Sequence, residues 1–203
     1  VQPNTNDKFL WRPVLNKLFG TITLSILVGA MSAIAPLTLG ETMQADKFEA
    51  DPEKRWTYIS DQVMGGVSQG QLQFEQQGDE EYARMTGQVS TDNNGGFIQF
   101  RKKIARGTTD SALGVYLRVR GNAEGYFVHL RTAGTLLPWQ YYQASFTPTD
   151  DWQVIKLPLA DFSRSSPWLR SSVKPDSIRS IAVVAFGSDY QAEIDVAEIG
   201  FYD

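Results

Sequence analysis

Apolar and polar residues alternate with a period of two through most of this chain, and nothing else in it constrains the fold as tightly. Over residues 113–120, Leu113, Val115, Leu117 and Val119 fall on one side, and Tyr116, Arg118 and Arg120 on the other. Successive side chains of a strand point to opposite faces, so the pattern makes a half-buried β-strand. Residues 126–131 repeat it, with Tyr126, Val128 and Leu130 set against Phe127, His129 and Arg131. Further strands are predicted over 71–75, 82–89, 97–103, 139–146, 152–157, 178–186 and 192–201. Turn-forming clusters separate them: Gln77-Gly78-Asp79, Asn93-Asn94-Gly95-Gly96, Gly121-Asn122 and Pro148-Thr149-Asp150. No helical period follows residue 45, and no internal repeat is present. Many short, turn-separated strands predict an all-β domain over 56–203, an antiparallel β-sandwich or jelly roll. The polar stretch 162–176 reads as a loop carrying Trp168, which is either an interface anchor or a cap folded onto the sandwich.

The N-terminal segment breaks this pattern. Residues 18–40 form a run of 23, of which 14 are hydrophobic and none is charged. As a helix the run would cover about 34 Å, enough for a hydrocarbon core of about 30 Å. The expectation is a transmembrane anchor over 18–40, preceded by an arm at 1–17 and followed by a linker at 41–55. The alternative is a cleaved secretory signal ending at Ala33-Ile34-Ala35, against which Pro36 stands just beyond the cut. Lys8, Arg12 and Lys17 outweigh Asp7, which places the N-terminus on the cytoplasmic side. The β-domain then lies on the periplasmic, lumenal or intermembrane side. Thr21, Ser25, Gly29 and Ala33 recur every fourth residue and offer a small-residue stripe to another membrane helix. Such segments are also simply rich in small residues.

Composition removes whole classes of chemistry. The chain has no cysteine, hence no disulfide framework, thiol nucleophile, zinc ribbon or cysteine-bound iron–sulfur cluster. His129 is its one histidine, so mechanisms needing two are excluded. The net charge is -4, and residues 41–203 carry 16 basic against 22 acidic groups, which gives no field for nucleic acid. Gly66-Val67-Ser68-Gln69-Gly70 matches the G-x-S-x-G nucleophile elbow, but an elbow needs a helix after the serine, and Gln71-Leu72-Gln73-Phe74 alternates like a strand. The motif reads instead as a turn in which Gly65 and Gly66 take backbone angles other residues avoid. Asp92-Asn93-Asn94-Gly95 could offer oxygens to calcium but lacks the later bidentate acid of an EF-hand, and reads as a turn. Met64 is expected to plug the core. No catalytic residue, metal ligand or cofactor is assigned.

Trp56 followed by Asp61-Gln62-Val63-Met64-Gly65-Gly66-Val67-Ser68 resembles the opening signature of the complex I intermediate-associated protein family. Asn94-Gly95-Gly96-Phe97 followed by Arg101, Val119-Arg120-Gly121 with Tyr126, and Tyr141-Tyr142-Gln143-Ala144-Ser145-Phe146 are similar to it as well. So are Trp152-Gln153 with Leu157-Pro158, and the closing stretch 194–199; the resemblance covers residues 46–203. It implies a galactose-binding-like β jelly roll without catalytic residues. It also implies a chaperone or scaffold role in assembling membrane complexes, respiratory complex I or, in photosynthetic relatives, photosystems. The same fold hosts carbohydrate-binding modules. Two functions follow. One is a membrane-tethered assembly factor or accessory subunit, held in the lipid bilayer by 18–40 and docking through the Thr21, Ser25, Gly29, Ala33 stripe and Trp168. The other is a carbohydrate- or small-ligand-binding module using one sheet face with Tyr116, Arg118, His129 and Arg131, joined by Tyr142. A solvated face with snorkelling arginines is the plainer account of those five.

Overall fold

The computed structural model describes residues 42–203, and in it the alternating segments form two antiparallel sheets. The strands are β1 (Thr42–Asp46), β2 (Trp56–Ser60), β3 (Gln69–Gln77), β4 (Glu80–Val89), β5 (Phe97–Lys103) and β6 (Gly114–Gly121). They continue with β7 (Tyr126–Thr132), β8 (Tyr142–Phe146), β9 (Gln153–Pro158), β10 (Ser163–Arg164), β11 (Ile178–Phe186) and β12 (Tyr190–Tyr202). The first sheet runs β3-β4-β12-β6-β9, with β1 added to β12; the second runs β10-β8-β7-β11-β5-β2. The remaining helical elements among the described residues are short 3-10 turns.

The core lies between the sheets and consists of one face of each strand. Met85, Val115, Leu117 and Ile194 enter it from the first sheet, and Ile98, Phe100, Val128, Leu130 and Val183 from the second, all fully buried. Each such side chain contributes about 1.5–3 kcal/mol of transfer free energy. Phe48, Trp56 and Phe100 close one end as an aromatic cluster with ring centroids 5.3–6.4 Å apart.

Several boundaries differ from the sequence expectation. Residues 41–55 are not a linker. β1 pairs with the end of β12, and Phe48 is 1% exposed. Asp46 organises this segment: it accepts from Phe48 N at 2.9 Å, Arg55 Nη2 at 3.0 Å, Trp56 Nε1 at 3.1 Å and Lys102 Nζ at 2.6 Å. Burial pushes its carboxyl up, but Arg55, Lys102 and the Phe48 amide outweigh that and hold it well below the usual carboxylate range. Leu113 lies outside β6 and is exposed, because the strand begins at Gly114, whose Cα packs against the Tyr202 ring. Trp139 and Tyr141 precede β8 rather than belonging to it. The arm at 1–17, the anchor at 18–40 and the stripe of Thr21, Ser25, Gly29 and Ala33 lie outside the described residues. Among those described, no helix is long and apolar enough to cross a membrane.

Candidate functional site

The second sheet has an outer face that is also largely apolar. On β11, Ala182 and Val184 are buried although they point away from the core. The register explains how. Ala182 lies between Arg101 and His129, Val184 between Gln99 and Phe127, and Phe186 opposite Phe97. All of these except Phe127 floor a groove of 650 Å³. One rim carries Val63 and Met64, 74% and 62% exposed; the other carries Trp139, 64% exposed, after Leu136 and Leu137. The second rim is ordered by polar bonds. Gln140 Oε1 accepts from the amides of Leu136 and Leu137, and Arg131 Nη2 donates to the Leu137 carbonyl at 2.9 Å. Within the groove His129 stacks on Tyr141, centroids 4.0 Å apart and planes 11° from parallel. Its Nε2 and the Oε1 of the facing Gln143 are buried without a hydrogen-bond partner. Burial pushes the imidazole down to about 4, against an opposing influence from Gln143, so it is neutral at pH 7.

The first rim is built by a single carboxylate. Asp61 is fully buried and accepts from Ser68 N at 3.0 Å, Ser68 Oγ at 2.5 Å, Gly96 N at 2.5 Å and Phe97 N at 3.2 Å. Burial pushes its carboxyl up; the donors of Gly96, Ser68 and Phe97 together outweigh this and hold it below the ordinary value. Gly66 and Gly95 pack directly on the carboxylate, and a Cβ on either would overlap it. Gly65 and Gly96 have φ of +92° and +121°, angles that L side chains avoid. Asp61 thus clasps the loop before β3 to the loop before β5.

At the end of the groove away from Phe97 the surface turns basic. An adjoining recess of 390 Å³ is lined by Arg101, Lys103, Arg131 and Arg179, with Arg101, Arg131 and Ser180 shared between recess and groove. Burial, and then the nearby Arg101 cation, push the Arg131 guanidinium below its ordinary value. Among the described residues, no three histidine or acidic side chains converge to hold a metal ion.

The family model of complex I intermediate-associated protein 30 (CIA30) matches residues 46–192. The chain belongs to the CIA30 family. None of the curated proteins compared with it matches by sequence. Among solved structures it is similar to a family 11 carbohydrate-binding module of a cellulosomal cellulase from Clostridium thermocellum, at 16% identity and TM-score 0.64, covering 80% of this chain and 94% of that one. The same organism's module in complex with a β-1,3-1,4-mixed-linked tetrasaccharide matches at 17% identity and TM-score 0.64, over 77% of this chain and 92% of that one. A family 30 carbohydrate-binding module matches at 13% identity and TM-score 0.51, over 72% and 82%. At these identities the likeness is one of fold, an antiparallel β-sandwich.

In this CIA30 chain the signature residues gather where the sequence separates them. Asp61, Gly65, Gly66, Ser68, Asn94, Gly95, Gly96 and Phe97 form the clasp and the rim above it, while Trp56 lies in the core. Ser68 is buried and bonded to Asp61, and β3 follows it, so the G-x-S-x-G match is a turn. Met64 does not plug the core: the turn that Gly65 terminates lifts it out to the groove rim. Asp92–Asn94 is a 3-10 turn. Trp168 is 89% exposed and so caps nothing; the neighbouring Leu169 and Val173 enter the core instead.

The five residues expected to share one ligand face do not. His129 and Arg131 face the groove. Tyr142 points inward, with its hydroxyl donating to the Arg170 carbonyl at 3.1 Å. Tyr116 and Arg118 lie on the outer face of the other sheet, where Tyr116 pairs with Glu198 and Arg118 with Glu80. Alternation shows which side of its own strand a residue takes, but not which sheet the strand joins. The groove floor does have a sequence signal: residues 181–186 are apolar at both parities, the mark of a strand covered on two faces.

Proposed function

We propose that this chain is a non-catalytic assembly factor or accessory subunit of a respiratory or photosynthetic membrane complex, a jelly roll of galactose-binding type that docks through its groove. Membership of a family described as complex I intermediate-associated supports an assembly role. The observation that carries the reading is the pair of exposed apolar rims, Val63 and Met64 on one side and Leu136 and Trp139 on the other. Monomeric soluble domains rarely leave so much contiguous apolar surface to water, and such patches mark interaction sites. Trp168 lies outside the groove, beside a separate recess with Thr132 and Gly134, although Ser165 Oγ ties its loop to the Trp139 carbonyl at 2.9 Å. Residues 18–40 would tether the domain to the bilayer, with the N-terminus cytoplasmic and the β-domain on the periplasmic, lumenal or intermembrane side.

The test uses the full chain purified in mild detergent, with co-migrating subunits identified. Met64→Asp with Trp139→Asp should lose those subunits while the melting temperature stays within about 2 °C, since both side chains face water. Undiminished co-purification would refute docking at the groove. A carbohydrate-binding module is the second reading, favoured by the His129–Tyr141 stack beside unpartnered Nε2 and Oε1 atoms. Binding of a mixed-linked glucan that Tyr141→Ala abolishes would select it.

A further inference from the structure

The groove and the basic recess form one continuous surface, and its chemistry is graded along the strands. Phe97 and Phe186 stand at one end, followed by Gln99 and Val184, then Arg101 with His129, then Lys103 with Arg131. At about 3.3 Å per residue, the Arg101 row lies roughly 13 Å from the phenylalanine row. Among the described residues, no carboxylate pairs with Arg101, Lys103, Arg131 or Arg179. The two ends have complementary deficits. The arginine end holds like charges close together without a counter-charge, and the phenylalanine end holds apolar surface without a cover.

We infer that this surface is a binding site for an anionic amphiphile, with a carboxylate or phosphate head at Arg101 and Arg131 and an acyl tail laid toward Phe97 and Phe186. Guanidinium forks match oxyanion geometry and bond it more strongly than neutral donors do. An apolar tail removes the floor from water, with a driving force proportional to the area covered. A head alone leaves the groove wet, and a tail alone leaves the arginines opposed. The groove's 650 Å³ lies inside the range of small-molecule sites, about 300–1,000 Å³. The inference rests on the groove being the functional surface, and names its ligand class. A free single-chain anion and a bilayer lipid share this chemistry.

Calorimetric titration of the protein with decanoate, decan-1-ol and inorganic phosphate separates the contributions. Decanoate should bind at least about tenfold more tightly than either partial ligand, the margin expected when one charge-assisted contact is added to a tail. Arg101→Gln with Arg131→Gln should reduce decanoate to the level of decan-1-ol, and Arg101→Lys should restore part of the preference. Arg131 also holds the second rim through the Leu137 carbonyl, so an unchanged melting temperature and an unchanged decan-1-ol affinity together check that each variant keeps its fold and its groove. Co-flotation with phosphatidylglycerol vesicles, sensitive to the same pair, identifies the source as a bilayer lipid; decanoate binding without co-flotation identifies a free anion. Equal affinity for decanoate and decan-1-ol, or binding of neither decanoate nor vesicles, overturns the inference. Should that happen while Met64→Asp with Trp139→Asp still removes the partner subunits, docking at the groove stands without the ligand.

Discussion

The two outer faces of the sandwich both carry arginines, and they use them in opposite ways. On the first sheet Arg84 grips Asp195 with two bonds of 2.7 Å, Arg120 reaches the same carboxylate at 2.8 Å, and Arg118 pairs with Glu80. Tyr82 and Trp152 lie between them, with the Arg120 guanidinium 4.6 Å from the Trp152 centroid and that of Arg118 at 5.0 Å. That face is closed on itself around Asp195: Arg84, Arg118 and Arg120 each have an anion and a ring. On the second sheet Arg101 and Arg131 stand beside an apolar floor, and no carboxylate among the described residues pairs with them. Residue types alone therefore do not mark a binding face. What marks it is whether the polar groups are already satisfied by one another.

The largest test of this contrast is Asp195→Ala. It leaves Arg120 half-buried without an anion and Arg84 with only the partly exposed Glu75 at 3.2 Å, and should cost about 2–4 kcal/mol in denaturant unfolding. A loss near zero would mean that the closed face is not held by its ion pairs. Next is the pH dependence of the groove. His129 takes a proton at about 4 when folded and at 6.5 when unfolded. Between those values the unfolded chain binds more protons, so stability falls as pH falls, by up to about 3 kcal/mol at pH 4. Tyr141 stacks on the ring, Gln143 faces it and Arg101 lies beyond Ala182, so no carboxylate offsets the shift. His129→Phe should flatten the stability profile across that window, and an unchanged slope would place its origin elsewhere. The smallest effect belongs to Arg101→Gln, under about 0.5 kcal/mol. A cost comparable to that of Asp195→Ala would show that the second face is as self-paired as the first.

Most of the sandwich was legible in the sequence because alternation is a local signal. β5 and β11 coincide with the predicted 97–103 and 178–186. β1 escaped because Thr42-Met43-Gln44-Ala45-Asp46 alternates over only two apolar residues, neither of them aromatic or β-branched, and is held by pairing with β12, some 150 residues away. β10 escaped because it has only two residues. The site was less legible. The signature glycines were readable as turns, but not as the two halves of a cage around Asp61, since nothing in a single sequence reports that residues 61 and 96 meet. Placing Tyr116 and Arg118 beside His129 failed for the same reason: sheet membership is a long-range fact.

The Asp61 clasp separates what holds the rim from what the rim presents. All four of its hydrogen bonds go to Ser68 or to backbone amides, and none involves the side chains of Val63, Met64 or Asn94. Val63 and Met64 can therefore be exchanged while the loops keep their places, so long as Asp61, Gly66, Ser68, Gly95 and Gly96 remain; Asn94, at φ +59°, is held to residues that accept the left-handed region. A scaffold organised in this way can be retuned toward a different partner by replacing a few contact residues, without being refolded.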